Sequence, residues 1–138
     1  MEKLSFKKCK IGYLIGKNFN FFSNLHNLRE LRFYEIPTLN IIDSSLFSEL
    51  MNLEVLVLSK VGLNTIRKDV FKNLSNLNCL ELNHNFLIDI ESGAFNGLCK
   101  LEKLVLDHNN LYEINNQMFK ELENLKESSY INSEQFEH

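Results

Sequence analysis

His84 and His108 hold the same place in two successive copies of an internal repeat, with Asn83 and Asp107 before them and Asn85 and Asn109 after. If those copies are neighbouring strands, the two imidazoles sit about 4.8 Å apart. At that spacing they could act as a proton-sensitive pair or offer two ligands to a weakly held metal ion. The position is also a solvent-facing one that accepts histidine readily, and repetition alone accounts for the pair. Other reactive side chains follow repeat position too: serines, histidines and acids form no glycine-rich phosphate loop, nucleophile elbow or converging carboxylate pair. Cys9, Cys79 and Cys99 are odd in number and set apart by the repeat frame, so pairing among them is not expected. The residues describe a non-enzyme with no cofactor and no metal.

The elements that carry these side chains recur. Stretches opening at Leu53, Leu77 and Leu101 read Leu-x-x-Leu-x-Leu, and Phe71, Phe95 and Phe119 follow at one offset, a period of 24 residues. A fixed period of this size marks a solenoid. In Leu77 to Leu87 the apolar residues alternate with polar ones, which predicts a short strand with one buried face. Ala94, Phe95 and Leu98 then fall at helix-like spacing, predicting a short helical or 3₁₀ return. Stacked copies would align the strands into a parallel concave sheet, with Phe22, Phe47, Phe71, Phe95 and Phe119 in a column beneath the convex wall. The predicted repeats are 6–27, 28–52, 53–76, 77–100, 101–124 and a partial 125–138, in one array spanning 1–138. The first copy is degenerate, opening at Phe6 with Cys9 and Ile11 inward.

Leu-x-x-Leu-x-Leu-x-x-Asn-x-Leu, intact in Leu77 to Leu87 and Leu101 to Leu111, resembles the leucine-rich repeat. The 24-residue length with its Phe is similar to the typical, extracellular subclass. That resemblance implies an α/β solenoid: an arc with a short-stranded parallel sheet on the concave face and short helical, 3₁₀ or irregular segments on the convex face. It also implies a receptor ectodomain or secreted protein. The strings around His84 and His108 are similar to part of a His-Asn-His nuclease motif as well, but that chemistry needs a metal-binding hairpin and helix. The asparagine after each strand, present at Asn85 and Asn109, is replaced by Val61, Ile36 and Leu14, so looser amino-terminal turns are expected. Ile36-Pro37 lies in a one-residue expansion and should push its loop outward. Ser128 stands where a core leucine belongs, and neither end has paired cysteine caps, which reads as a fragment of a longer array.

Outward strand positions are free of the core. From Lys7, Lys8, Lys10, Gly12 and Tyr13 onward they run repeat by repeat to Glu102, Lys103, Val105, Asp107 and His108. Tyr34, Val55, Val57, Cys79 and Val105 would form the apolar centre of a protein-binding patch, rimmed by Arg32, Glu81 and Lys103. Strand propensity alone also explains the β-branched members. Asn73 opens the sequon Asn73-Leu74-Ser75 and is a candidate glycosylation site on the convex side.

Residues 1–69 hold ten Lys/Arg against seven Asp/Glu, and residues 70–138 five against eleven, so a formal net charge of -3 hides opposite-charged halves. Without a basic stripe along one face no nucleic acid partner is expected. Without an apolar run near 18 residues no membrane insertion is expected either. The predicted function is protein recognition through the concave face, at the cell surface or outside the cell. The alternative is a structural segment of a longer solenoid, with self-association through its ends.

Overall fold

The computed structural model describes residues 1–11, 15, 21–40, 42–114 and 116–130. Within them the chain winds as a parallel-sheet solenoid. The main sheet runs in the order β1 (Lys3–Lys7), β2 (Glu30–Tyr34), β3 (Val55–Ser59), β5 (Cys79–Glu81), β7 (Lys103–Val105) and β8 (Glu127–Ser129), each strand parallel to the next. Two shorter strands, β4 (Thr65–Ile66) and β6 (Asp89–Ile90), pair separately. Register places Leu31, Leu56, Leu80 and Leu104 side by side. All four are fully buried, as are Leu53, Leu77 and Leu101. Each such leucine contributes about 1.5–3 kcal/mol.

The fixed offset of the phenylalanine has a backbone cause. The carbonyl of each such Phe accepts from the amide three residues on, and that residue's carbonyl accepts from the next repeat leucine. This relay runs Phe22–Leu25–Leu28, Phe47–Leu50–Leu53, Phe71–Leu74–Leu77, Phe95–Leu98–Leu101 and Phe119–Leu122–Leu125. Successive i to i−3 bonds turn the chain back toward the sheet without a true α-helix. Among the described residues, Asn116–Phe119 forms a 3₁₀ helix. Rings of Phe47 and Phe71 lie 6.0 Å apart, and those of Phe95 and Phe119 6.2 Å. Phe22 instead meets Phe33 at 6.0 Å, inside the strand layer.

The first turn is framed differently from its sequence prediction. Leu4 pairs with Leu31 and Phe6 with Phe33, so the inward pair is Leu4 and Phe6, not Phe6 and Cys9. Cys9 is exposed, in the turn that follows the strand. The first copy therefore begins before residue 6, and Lys3, Ser5 and Lys7 form its outward face. Gly12, Tyr13 and Leu14, and residues 131–138 of the partial last repeat, lie outside the described residues.

The asparagine of one turn serves the turn before it. Asn85 Oδ1 accepts from the amides of Val61 (3.0 Å) and Leu63 (3.3 Å), while its Nδ2 donates to the carbonyls of Leu58 (2.7 Å) and Leu82 (2.9 Å). Asn109 repeats this one turn on, accepting from Leu87 (3.0 Å) and donating to Leu82 and Leu106. The turn around Val61 therefore needs no asparagine of its own. Valine at 61 instead removes this partner from the turn around Ile36, where Leu39 donates to the Ile36 carbonyl at 3.0 Å. Pro37 is exposed, as its loop position predicts, and its carbonyl lies close against the next turn: a Cβ on Gly62 would meet it at 2.8 Å.

Candidate functional site: the concave wall and its trailing edge

Register arranges the outward side chains in rows that cross the sheet. One row is Lys3, Glu30, Val55, Cys79, Lys103 and Glu127; the next is Ser5, Arg32, Val57, Glu81, Val105 and Ser129. Tyr34 follows in a third row, between Lys7 and Ser59. All eight sequence-predicted wall residues are thus brought onto one face.

Their surroundings differ from the expected apolar centre. Val57 is fully buried (0% exposed), although it points away from the leucine core. Its row neighbours are the long side chains of Arg32 and Glu81. Tyr34, Val55, Cys79 and Val105 are only partly exposed. The wall is held by polar contacts: Arg32 reaches Tyr34 Oη (3.3 Å) and Glu30 (3.4 Å), Lys3 pairs with Glu30 (3.0 Å) and Lys103 with Glu127 (3.7 Å). Hydrogen bonds to Tyr34 and Glu30 and the nearby Glu30 charge raise the Arg32 pKa against its partial desolvation, while the Lys3 contact leads in lowering that of Glu30. Burial pushes the Cys79 thiol up, and Glu81 adds to the rise, so it is held as the thiol rather than as a nucleophilic thiolate.

Beyond the strands, Lys8, Glu35, Lys60, His84 and His108 each adopt a left-handed backbone, with φ between 49° and 57°. This is one recurring turn position. The amides of Lys8, Glu35, Lys60 and His84 donate to the carbonyls of Tyr34, Ser59, Asn83 and Asp107 in the next turn. The shared conformation lines up their side chains along the trailing edge of the wall. Lys8 pairs with Glu35 at 3.3 Å, and the rings of His84 and His108 stack at 4.2 Å with planes 8° apart. Among the described residues no group of three His, Cys, Asp or Glu side chains is arranged to hold a metal ion.

Desolvation, then His108 and Lys60, hold His84 below the usual histidine range, with Asp107 opposing them. A histidine with a lowered folded pKa takes up its proton more readily in the unfolded chain. Its contribution to stability is therefore full above about pH 6.5, the unfolded value, and is lost as pH falls through the lower folded pKa. The melting temperature should drop on acidification from about pH 7.5 to pH 5.5, and His84→Asn should remove part of that drop; a pH series of thermal melts on both proteins checks this.

A second asparagine ladder escaped the sequence reading. Asn52, Asn76 and Asn124, each just before a repeat leucine, donate to the carbonyls of His26 (2.7 Å), Met51 (2.9 Å) and Cys99 (2.6 Å) in the preceding turn. Asn27 holds the same place before Leu28, and Lys100 takes the place of asparagine before Leu101, where it reaches Asn76 at 2.8 Å. Their constant offset was the available signal. The predicted acceptor Asn73 lies half-buried in the turn after Phe71.

A strand every turn on one wall, leucines stacked in register, and an asparagine passed back to the preceding turn define a leucine-rich-repeat solenoid. Residues 51–111 match the leucine rich repeat family. The chain is a leucine-rich-repeat protein. It is similar to the protein in the crystal structure of a TLR13–ssRNA13 complex, with 34% identity and a TM-score of 0.81; the match covers 91% of this chain and 17% of that one. No match was found among curated proteins.

Proposed function

We propose that this chain is a non-enzymatic recognition module that binds a protein ligand through its concave wall, as part of a receptor ectodomain or secreted repeat protein. The observation that carries this reading is the pair of register-aligned rows, whose side chains are spared from the core and fixed before any ligand arrives. A preformed surface of this kind binds with little rearrangement. Tyr34, Val55, Cys79 and Val105 supply the less polar contacts, and Arg32, Glu81 and Lys103 the charged ones. Val57 supports the wall from beneath. In such a setting Asn73 carries a glycan on the convex back and leaves the wall clear.

The likeness to a protein crystallised with single-stranded RNA makes RNA the competing ligand. Phosphate binding depends on cations that neutralise successive charges, and here Lys3, Arg32 and Lys103 share the two rows with Glu30, Glu81 and Glu127. That balance favours protein. A structural role in a longer solenoid is supported by one feature, the opposite charges of Lys3 and Glu127 at the two ends of one row. Concentration-dependent end-to-end association in sedimentation would favour it.

Screening a displayed library of secreted and cell-surface ectodomains with the tetramerised chain tests recognition. Tyr34→Ser with Val105→Ser should weaken the captured ligand at least about tenfold, while the melting temperature stays within about 2 °C. Ligand binding indifferent to every wall substitution would remove the concave face from the account.

A further inference from the structure

Three large apolar side chains gather on the trailing edge beside the stacked histidines. Phe86, Ile88 and Tyr112 are 59%, 49% and 82% exposed. They share one flank because the backbone there is laddered: Phe86 donates to the Leu63 carbonyl (2.8 Å), Ile88 to Asn64 (3.0 Å) and Asn110 to Leu87 (2.9 Å). Leu87 and Leu111 point inward between them and are buried. Among the described residues the other large exposed apolar side chains, Met1, Met51 and Tyr130, are scattered elsewhere along the chain. Single exposed apolar residues are ordinary on a protein surface, whereas three close together on two adjacent turns mark a contact surface.

A cationic row borders this patch. Lys60, His84 and His108 occupy the left-handed position in three successive turns. Lys60 has no carboxylate partner among the described residues. The charged and titratable groups that face His84 are His108, Lys60 and Asp107. Two imidazoles stacked at 4.2 Å resist carrying two protons unless an anion offsets the repulsion. An anion set across them would be held more tightly as they protonate.

Resting on the recognition reading above, we propose that this edge is a second contact surface, which binds a protein segment presenting a carboxylate beside an aromatic or aliphatic side chain, and binds it more tightly in acid. The carboxylate meets Lys60, His84 and His108, and the apolar neighbour covers Phe86, Ile88 and Tyr112. A single carboxylate fits better than a run of phosphates. The cationic row spans only three turns, ends at Glu35, which Lys8 already pairs, and is flanked by exposed Asp89 and Glu113. The lowered proton affinity of His84 places the gain in affinity below the ordinary histidine range.

Selection of random 12-residue peptides, displayed on phage, against the whole chain at pH 5.5 tests this surface. Selected peptides should carry Asp or Glu next to Phe, Tyr, Leu or Ile, and should bind about tenfold more weakly at pH 7.5. His84→Asn with His108→Asn should abolish that pH dependence. Phe86→Ser with Tyr112→Ser, both at exposed positions, should abolish binding at either pH with an unchanged melt. If binding survives the edge pair but is lost on Tyr34→Ser with Val105→Ser, the edge is overturned and the concave reading stands. Peptides indifferent to both pairs, or an empty selection, overturn the edge and count against peptide recognition by the wall as well. A single-stranded 13-nucleotide oligouridine that displaces the peptides and binds the edge more tightly than they do would replace the protein segment with RNA.

Discussion

Asn85→Ala should destabilise the chain by about 3–5 kcal/mol, the sum expected when several buried backbone groups lose their partners together. Asn85 is 4% exposed and its amide satisfies two backbone N–H donors, of Val61 and Leu63, and the carbonyls of Leu58 and Leu82. Alanine leaves the Val61 and Leu63 amides and the Leu58 carbonyl without these partners in a dry interior, while the Leu82 carbonyl keeps its bond from Asn109. A carboxylate at that site would be no remedy, because it has no N–H to donate to the two carbonyls. Urea denaturation reads the loss as a lowered midpoint with an unchanged slope. Asn64→Ala is the matched control: Asn64 is exposed, and its loss should change stability by no more than about 0.5 kcal/mol.

Gly97→Ala should cost a further large amount, about 3–4 kcal/mol, for a different reason: a strained backbone combined with an unavoidable contact. Gly97 has φ of +87°, and a Cβ there would lie 2.3 Å from the Lys72 carbonyl oxygen and 2.7 Å from its Cα. Both obstacles are backbone atoms of the adjacent turn, so relief requires the two turns to separate. Gly93→Ala offers the comparison. Its Cβ would meet the Asn96 side chain at 2.8 Å, which can move, and the equivalent position one repeat earlier is Asp69, already at φ 61°. The loss there should be nearer 1 kcal/mol, and equal midpoints for the two variants would refute the role given to the Lys72 contact.

The repeat was legible wherever a side chain has one task that the sequence displays. Leucines at Leu53, Leu77 and Leu101 and the phenylalanine offset follow from a core that every turn must complete in the same way. The first turn was misframed because Leu4 and Leu31 pair across 27 residues rather than 24, so counting back by the period lands three residues late, at Lys7. Val57 was read as exposed because alternation tells only which way a side chain points. Whether it stays open to solvent depends on side chains of other turns, and its row neighbours there are Arg32 and Glu81. The destination of the asparagines was hidden for the same reason: Asn85 completes the turn before its own, and the sequence shows donors without their acceptors. The edge formed by Phe86, Ile88 and Tyr112 became visible only when the left-handed turns and their ladder had been placed.

Recognition by a preformed wall requires that the sheet be ordered in the free chain, and native-state hydrogen exchange tests this without any ligand. The amides of Cys79, Leu82 and Lys103 bridge successive turns, to Glu54 (3.1 Å), Val105 (2.8 Å) and Asn78 (3.0 Å). All three should exchange only through global unfolding, with one shared opening free energy equal to that from urea denaturation. Exchange of these amides as fast as that of exposed turn amides such as Asn64 would mean that the wall forms only on binding, and would contradict the account.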